Sequence, residues 1–219
     1  MDVSFGRSAD KVRYYAKMIA RLFRERIASG LPVRWLDVGA GYGEVVEAVT
    51  SVFPPSSYVV GIDPMKGKVD VARSLGLAVT DTPFAEVPGS YDVISLINVF
   101  SHIPDFKSFL LQISKKLSPE GALLIETGNA GDLAKREDYP DQLYLPDHLV
   151  FAGRAQMRSM LEAFGFAVDR IVTTRMDNLA WAVRTTGKSF LAGRPVVSLP
   201  YRSPFRSVFY KAQMTAAPS

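Results

Sequence analysis

The sequence predicts an α/β fold, a mostly parallel sheet with helices on both faces, and three observations predict it. Short apolar runs alternate with segments of helical periodicity from Val33 to Glu126, the β-α-β-α-β pattern of parallel strands joined by crossover helices. The first run passes into a glycine turn, Gly39-Ala40-Gly41-Tyr42-Gly43, that opens a helix. The second run, Tyr58 to Ile62, ends at Asp63, twenty residues after Gly43.

The elements follow in order. Between Asp10 and Ser29 the apolar residues Val12, Tyr15, Ile19, Leu22, Phe23 and Ile27 recur at helical spacing, predicting one helix packed on the sheet. Gly30-Leu31-Pro32 ends it. Strands are expected at Val33 to Val38, Tyr58 to Ile62, Ala78 to Thr80 and Tyr91 to Ile97, with helices at Glu44 to Phe53, Lys66 to Leu75 and Phe106 to Leu117. Ser118-Pro119-Glu120-Gly121 reads as a turn before a strand at Ala122 to Glu126. Gly128 to Asp147 is a polar, irregular connection of the kind that serves as a functional loop or lid. A helix at Ala155 to Phe164 closes on Gly165 as its C-cap, and Ala167 to Thr174 and Ser207 to Met214 have strand character. The insertion between these two strands holds an expected helix, Asn178 to Val183, and is placed over the mouth of the site. A single domain over residues 1–219 is expected, with a helical cap at 1–30, a core at 33–175 and the insertion at 176–206.

Composition removes several classes of function. The 219 residues are 47% hydrophobic and 22% charged, enough for one sizeable core and inconsistent with global disorder. The absence of cysteine excludes disulfides, thiolate metal sites and cysteine nucleophiles. With His102 and His148 the only histidines, no metal site is expected. No apolar stretch approaches the roughly 20 residues of a membrane span, so a cytoplasmic protein with no membrane partner is expected. From Arg170 onward eight basic residues face Asp177 alone. That segment reads either as a surface for an anionic substrate, nucleic acid or a membrane face, or as a solvated basic face without a partner.

The chemistry concentrates in Leu36-Asp37-Val38-Gly39-Ala40-Gly41-Tyr42-Gly43-Glu44. Glycines allow close approach of a ligand to the backbone, and a helix N-terminus offers free N–H groups. In nucleotide-binding folds an acidic residue ending the second strand accepts hydrogen bonds from the ribose hydroxyls, the role expected of Asp63. Dinucleotide-binding proteins carry G-x-G-x-x-G, whereas Gly39, Gly41 and Gly43 are spaced G-x-G-x-G behind Asp37. At this motif the chain resembles the class I S-adenosylmethionine-dependent methyltransferases. The likeness extends through Tyr91 to Asp105, similar to the family's fourth-strand signature, and through Leu117 to Glu126, with Glu120 where glycine is commoner. His148 to Phe151 and Met157 to Phe166 resemble a segment of bacterial small-molecule methyltransferases.

The resemblance implies a Rossmann-like class I methyltransferase fold with a seven-stranded, mostly parallel sheet, and S-adenosylmethionine as cofactor. It would place Gly39, Ala40 and Gly41 along the methionine moiety, Asp37 toward its ammonium and Asp63 on the ribose. Pro64 and Met65 would pack beside the adenine, Asp81 or Thr82 would sit near its exocyclic amine, and Asn98 and Val99 would lie near the sulfonium. Tyr14 or Tyr15 is expected either to close over the amino-acid part or to serve as packing.

The expected acceptor is an oxygen or nitrogen of a small molecule. A hydroxyl acceptor needs a base, for which His102 is the candidate and His148 its competitor; against this, His102 reads as a cap on the Ile103-Pro104 turn or a packing residue of the lid. Asn98-Val99-Phe100-Ser101 departs from the Asn/Asp-Pro-Pro-aromatic motif of amino-directed DNA methyltransferases, so nucleic acid is not favoured, while RNA stays open through the basic C-terminal segment. Two other classes are carried: a nicotinamide-dependent oxidoreductase, and a non-catalytic S-adenosylmethionine-binding partner protein. Sequence leaves the oligomeric state unassigned.

Overall fold

The structure, a computed structural model, describes residues 7–134, 149–174 and 206–215. Seven strands form one sheet in the order β3-β2-β1-β4-β5-β7-β6. They are β1 (Arg34–Val38), β2 (Tyr58–Ile62), β3 (Val79–Thr80), β4 (Tyr91–Ile97), β5 (Leu117–Gly128), β6 (Phe166–Thr174) and β7 (Ser207–Met214). The pairings among β1 to β5 are parallel, and β7 runs antiparallel to both of its neighbours. The helices are α1 (Ala9–Leu22), α2 (Arg24–Ala28), α3 (Glu44–Val52), α4 (Lys66–Ser74), α5 (Phe106–Lys116) and α6 (Arg154–Ala163).

Alternation along the strands builds a core on each face. Trp35, Val93, Leu124 and Phe209 pack with Ile19 and Leu22 of α1, Val45 and Val49 of α3 and Val69 of α4. Their neighbours Leu36, Ile94, Leu123 and Tyr210 turn the other way, onto Leu110 and Ile113 of α5 and Met157 and Leu161 of α6. Strands buried on both sides read as continuous apolar runs, which is why β1, β2 and β4 stand out in the sequence. Each large side chain enclosed in this way contributes about 1.5–3 kcal/mol of burial free energy.

Two elements depart from expectation. The segment Asp10 to Ser29 is not one helix: α1 ends at Leu22 and α2 begins at Arg24. Phe23 between them leaves the helical region (φ −116°, ψ 26°) and sets its ring edge-on against Trp35 at 5.1 Å. Seating that ring in the core outweighs the continuity of one turn of backbone hydrogen bonds. The expected turn Ser118–Gly121 is an interruption inside one long strand: Tyr91 pairs with Leu117 and Val93 already with Ala122. Glu120 there has φ 61°, in the left-handed region that favours glycine.

Of the expected lid, residues 135–147 lie outside the described residues, and its start forms a short 3-10 turn, Ala130–Asp132. The insertion, apart from Arg206, and its expected helix Asn178 to Val183 also lie outside them, as does His148. Phe209 and Tyr210 belong to the core, whereas Tyr201 and Phe205 are outside the described residues.

Two backbone substitutions test this account in opposite directions. A Cβ on Gly61 of β2 would come within 2.6 Å of the Ala40 Cβ and 2.9 Å of Val46 Cγ2, so Gly61→Ala should destabilise by about 1–3 kcal/mol in urea unfolding. Glu120→Gly, which relieves the left-handed backbone, should stabilise by about 0.5 kcal/mol once the extra unfolded-state entropy of glycine is subtracted.

Candidate functional site

The chain leaves β1 toward β2 on one side and returns to β4 on the other, so the strand order reverses between β1 and β4. In an open parallel sheet a crevice opens at such a point, beyond the carboxyl ends of the strands. Asp37 and the glycine turn follow β1, Asp63 to Met65 follow β2, Asp81 and Thr82 follow β3, and Asn98 and Val99 follow β4. The fold therefore gathers all the expected cofactor-binding residues along one edge.

Hydrogen bonds fix the glycine turn to β2. Gly39 and Ala40 N–H both donate to the Ile62 carbonyl, at 2.8 and 2.9 Å, and Gly43 N–H donates to the Ala40 carbonyl at 2.8 Å. Gly41 N–H donates to Asp63 Oδ2 and Met65 N–H to Asp63 Oδ1, each at 2.8 Å. The N–H groups of Gly39, Ala40, Gly41 and Gly43 are thus spent inside the protein. The glycines act sterically instead. Gly39 (φ 73°) lies so close to Val99 that a Cβ would meet Val99 Cγ2 at 2.3 Å, while a Cβ on Gly41 (φ 55°) would point into open space.

Carboxylates dominate the crevice. Asp37 is 1% exposed, and its Oδ1 accepts a 2.6 Å bond from Ser95 Oγ, which accepts in turn from Trp35 Nε1 at 2.8 Å. Burial pushes the Asp37 carboxyl up to about 7, against the lowering effect of Ser95, with Glu44 and Asp63 adding repulsion. Glu126, 4% exposed, is likewise raised by burial to about 7, against the lowering effect of bonds from Ser207 and Tyr15. Asn98 Nδ2 donates to its Oε2 at 3.3 Å, and Ser207 Oγ donates to its Oε1. Asn98 holds a left-handed backbone, φ 57°, at the tip of β4, a strained conformation of the kind concentrated at functional sites. Glu44, the first residue of α3, is also buried, and its Oε1 has no hydrogen-bond partner.

Helix α1 closes this edge from one face. Tyr15 bonds Glu126, and burial with repulsion from Glu126, Asp37 and Glu44 drives its phenol far above the usual range. Tyr14 bonds Thr174 Oγ1 at 2.8 Å and packs its ring 6.1 Å from that of Phe209. Tyr15 therefore faces the carboxylates and Tyr14 braces the helix against the sheet. Pro64 and Met65 are exposed beside Asp63, Asp81 pairs with Arg73 at 3.4 Å, and the Thr82 hydroxyl bonds that of Thr80 at 3.0 Å. His102 ends a 3-10 turn, Phe100–His102, with its side chain exposed and its N–H bonded to the Val99 carbonyl.

Sequence reasoning overlooked Glu44, Ser95 and Glu126. Glu44 adjoins Gly43 in the motif itself, and Glu126 is a lone acid ending an apolar run, a signal that was available. Ser95 shows nothing until β1 and β4 pair Asp37 with it. Of the basic C-terminal residues, Lys211 is paired with Asp169 at 2.6 Å and Arg170 approaches Glu25 at 4.0 Å. They border a groove of about 290 Å³ that also touches Arg26, Asp92 and Glu120, at the opposite edge of the sheet from the crevice. Arg175, Arg184, Lys188, Arg194 and Arg202 of the same basic segment lie outside the described residues.

Known proteins agree with this architecture. The family described as "Methyltransferase domain" matches residues 7–171. A ubiquinone biosynthesis O-methyltransferase of Proteus mirabilis (strain HI4320) is 32% identical over 104 residues, 43% of this chain and 41% of that protein. A malonyl-[acyl-carrier protein] O-methyltransferase of Bacillus cereus is 25% identical over 131 residues, 57% of this chain and 48% of that protein. The chain thus spans less than half the length of these two relatives. Among solved structures, magnesium protoporphyrin IX methyltransferase of Synechocystis PCC 6803 with bound S-adenosylmethionine superposes with a TM-score of 0.57 at 13% identity, over 98% of this chain and 88% of that one. Phosphoethanolamine N-methyltransferase 2 of Haemonchus contortus in complex with S-adenosylmethionine gives 0.62 at 20% identity, over 84% and 49%. The fold is Rossmann-like, as expected.

The raised carboxyls make stability depend on pH. Asp37 holds its proton more tightly folded, with a pKa of about 7, than at its ordinary 3.8. The stability this contributes is complete below about pH 4 and is lost as pH rises through about 7. Thermal melts across that window should show a falling midpoint whose slope is smaller in Asp37→Asn; an unchanged slope would mean that Asp37 does not titrate there.

Proposed function

We infer, from the premise that this chain belongs to the methyltransferase-domain family, that it transfers a methyl group from S-adenosylmethionine to an oxygen or nitrogen of a small-molecule acceptor. One observation carries the reading: Asp37, Glu44, Asp63 and Glu126 are all buried around the crevice, and the N–H groups of Gly39, Ala40, Gly41 and Gly43 are already bonded within the protein. A pyrophosphate would meet acids where it needs donors, which disfavours a nicotinamide dinucleotide. A ligand with a cationic methionine end and a ribose meets the acceptors it requires. The O-methyltransferase relatives support an oxygen acceptor, and the N-methyltransferase with a similar fold leaves nitrogen in the reading.

When bound, the cofactor supplies an activated methyl group on a sulfonium, so the protein's task is to align and enclose. Asp63 anchors the turn through one lone pair on each oxygen and keeps the others for ribose hydroxyls. Asp37 presents anionic charge toward the methionine ammonium. Asn98 and Val99 line the sulfonium end, with Asn98 held by Glu126. Pro64 and Met65 offer apolar surface to the adenine, with Asp81 or Thr82 at its amine. Tyr15 keeps water from the carboxylates. The Asp37 proton is displaced as a cation settles against it, so binding should release protons below about pH 7. A cytoplasmic location belongs to the same reading; among the described residues no helix is long and apolar enough to cross a membrane.

Titration calorimetry with S-adenosylhomocysteine and NAD checks the cofactor. The adenosyl ligand should bind and NAD should not, and Asp63→Ala should weaken binding about 10- to 100-fold; preferential NAD binding would overturn the reading. His102, exposed in the turn after β4, is the proposed base for a hydroxyl acceptor. His102→Ala should lower kcat on such an acceptor about 100-fold without changing cofactor affinity. Unchanged turnover across the pH profile would remove that role.

A further inference from the structure

We propose that Glu44 is a second carboxylate of the ammonium seat, sharing with Asp37 the α-ammonium of the cofactor's methionine portion. The inference rests on the cofactor reading above and assigns to Glu44 a ligand contact of its own. Its origin is an energetic anomaly. Glu44 is 7% exposed, yet its Oε1 has no hydrogen-bond partner, and a buried acceptor left unmade is destabilising, more so for a charged group. A carboxylate in that position is an expense the fold recovers when a donor arrives.

Its surroundings identify the donor as cationic and as coming from the cofactor. Glu44 follows Gly43 at the start of α3, where the helix N-terminus favours negative charge. It acts through space on both Asp37 and Tyr15, so the three groups share one enclosure. Three basic side chains on the neighbouring elements have other contacts: Arg7 bonds Glu47 on the next turn of α3 while its Nε stays without a partner, Lys11 acts on Glu126, and Lys68 lies over the Tyr42 ring. With Gly41 leaving open space beside the turn, a primary ammonium entering there would meet Asp37 on β1 and Glu44 on α3. Three hydrogens on the ammonium allow both carboxylates to accept at once.

The test compares two ligands on the wild-type chain and on Glu44→Gln, which keeps the shape and removes the charge. S-adenosylhomocysteine carries the amino-acid portion; 5′-methylthioadenosine keeps the adenosine and the sulfur and lacks it. By calorimetry Glu44→Gln should bind S-adenosylhomocysteine about tenfold more weakly and 5′-methylthioadenosine as the wild type does. Glu44→Ala should repeat the pattern, and melts of both variants without ligand verify the fold. Equal loss for both ligands, or loss for neither, would overturn the proposal while leaving the cofactor assignment intact. A wild-type chain that binds neither ligand would instead refute the cofactor reading, and the ammonium seat with it.

Discussion

The site depends on one piece of backbone geometry, the docking of the β1 turn onto the end of β2. Gly39 and Ala40 share the Ile62 carbonyl, and Gly41 reaches the Asp63 carboxylate. These bonds require β1 and β2 to approach closely beyond their paired register, which Gly61 permits by leaving room for Ala40 and Val46. A side chain at Gly61 would push the turn off the end of β2, and one at Gly39 would press on Val99 after β4.

The docked turn sets buried carboxyls around the crevice. In folds that bind phosphate the helix N-terminus after the first strand presents unpaired N–H groups to the ligand. Here the N–H groups of Gly39, Ala40, Gly41 and Gly43, in the turn ahead of that helix, are occupied within the protein, and Asp37, Glu44, Asp63 and Glu126 are buried around it. Keeping four carboxylates out of water is costly. The protein meets part of that cost by hydrogen bonds from Ser95, Ser207, Tyr15 and Asn98, and part by raising the Asp37 and Glu126 carboxyls to about 7. The proposed cationic ligand would lower the rest and so couple occupancy of the crevice to its protonation.

Helix α1 ties the crevice to the far half of the sheet. Tyr15 reaches Glu126 on β5, and Tyr14 reaches Thr174 at the end of β6. Arg7, just ahead of the same helix, pairs with Glu47 of α3. The break at Phe23 lets α1 follow the sheet while its ring locks into Trp35, the residue whose indole supports Ser95 and through it Asp37. Packing at one end of the molecule is thereby continuous with the orientation of an acid at the other.

Much of this was legible in the chain alone. Apolar runs at Leu36, Val60 and Ile94 and the spacing of Gly39, Gly41 and Gly43 before Asp63 determine the parallel strands and the edge on which the glycine turn and Asp63 come together, because strand burial and turn conformation are local properties of sequence. The split of the first helix at Phe23, the strand running through Ser118 to Gly121, and the Trp35-Ser95-Asp37 relay were not, since each arises from contacts between segments far apart in the chain. The same holds for the polarity of the glycine turn. Sequence places glycines and a helix start there, but only the tertiary fold brings Ile62 and Asp63 within reach of the N–H groups and so turns a would-be donor site into a carboxylate-lined one.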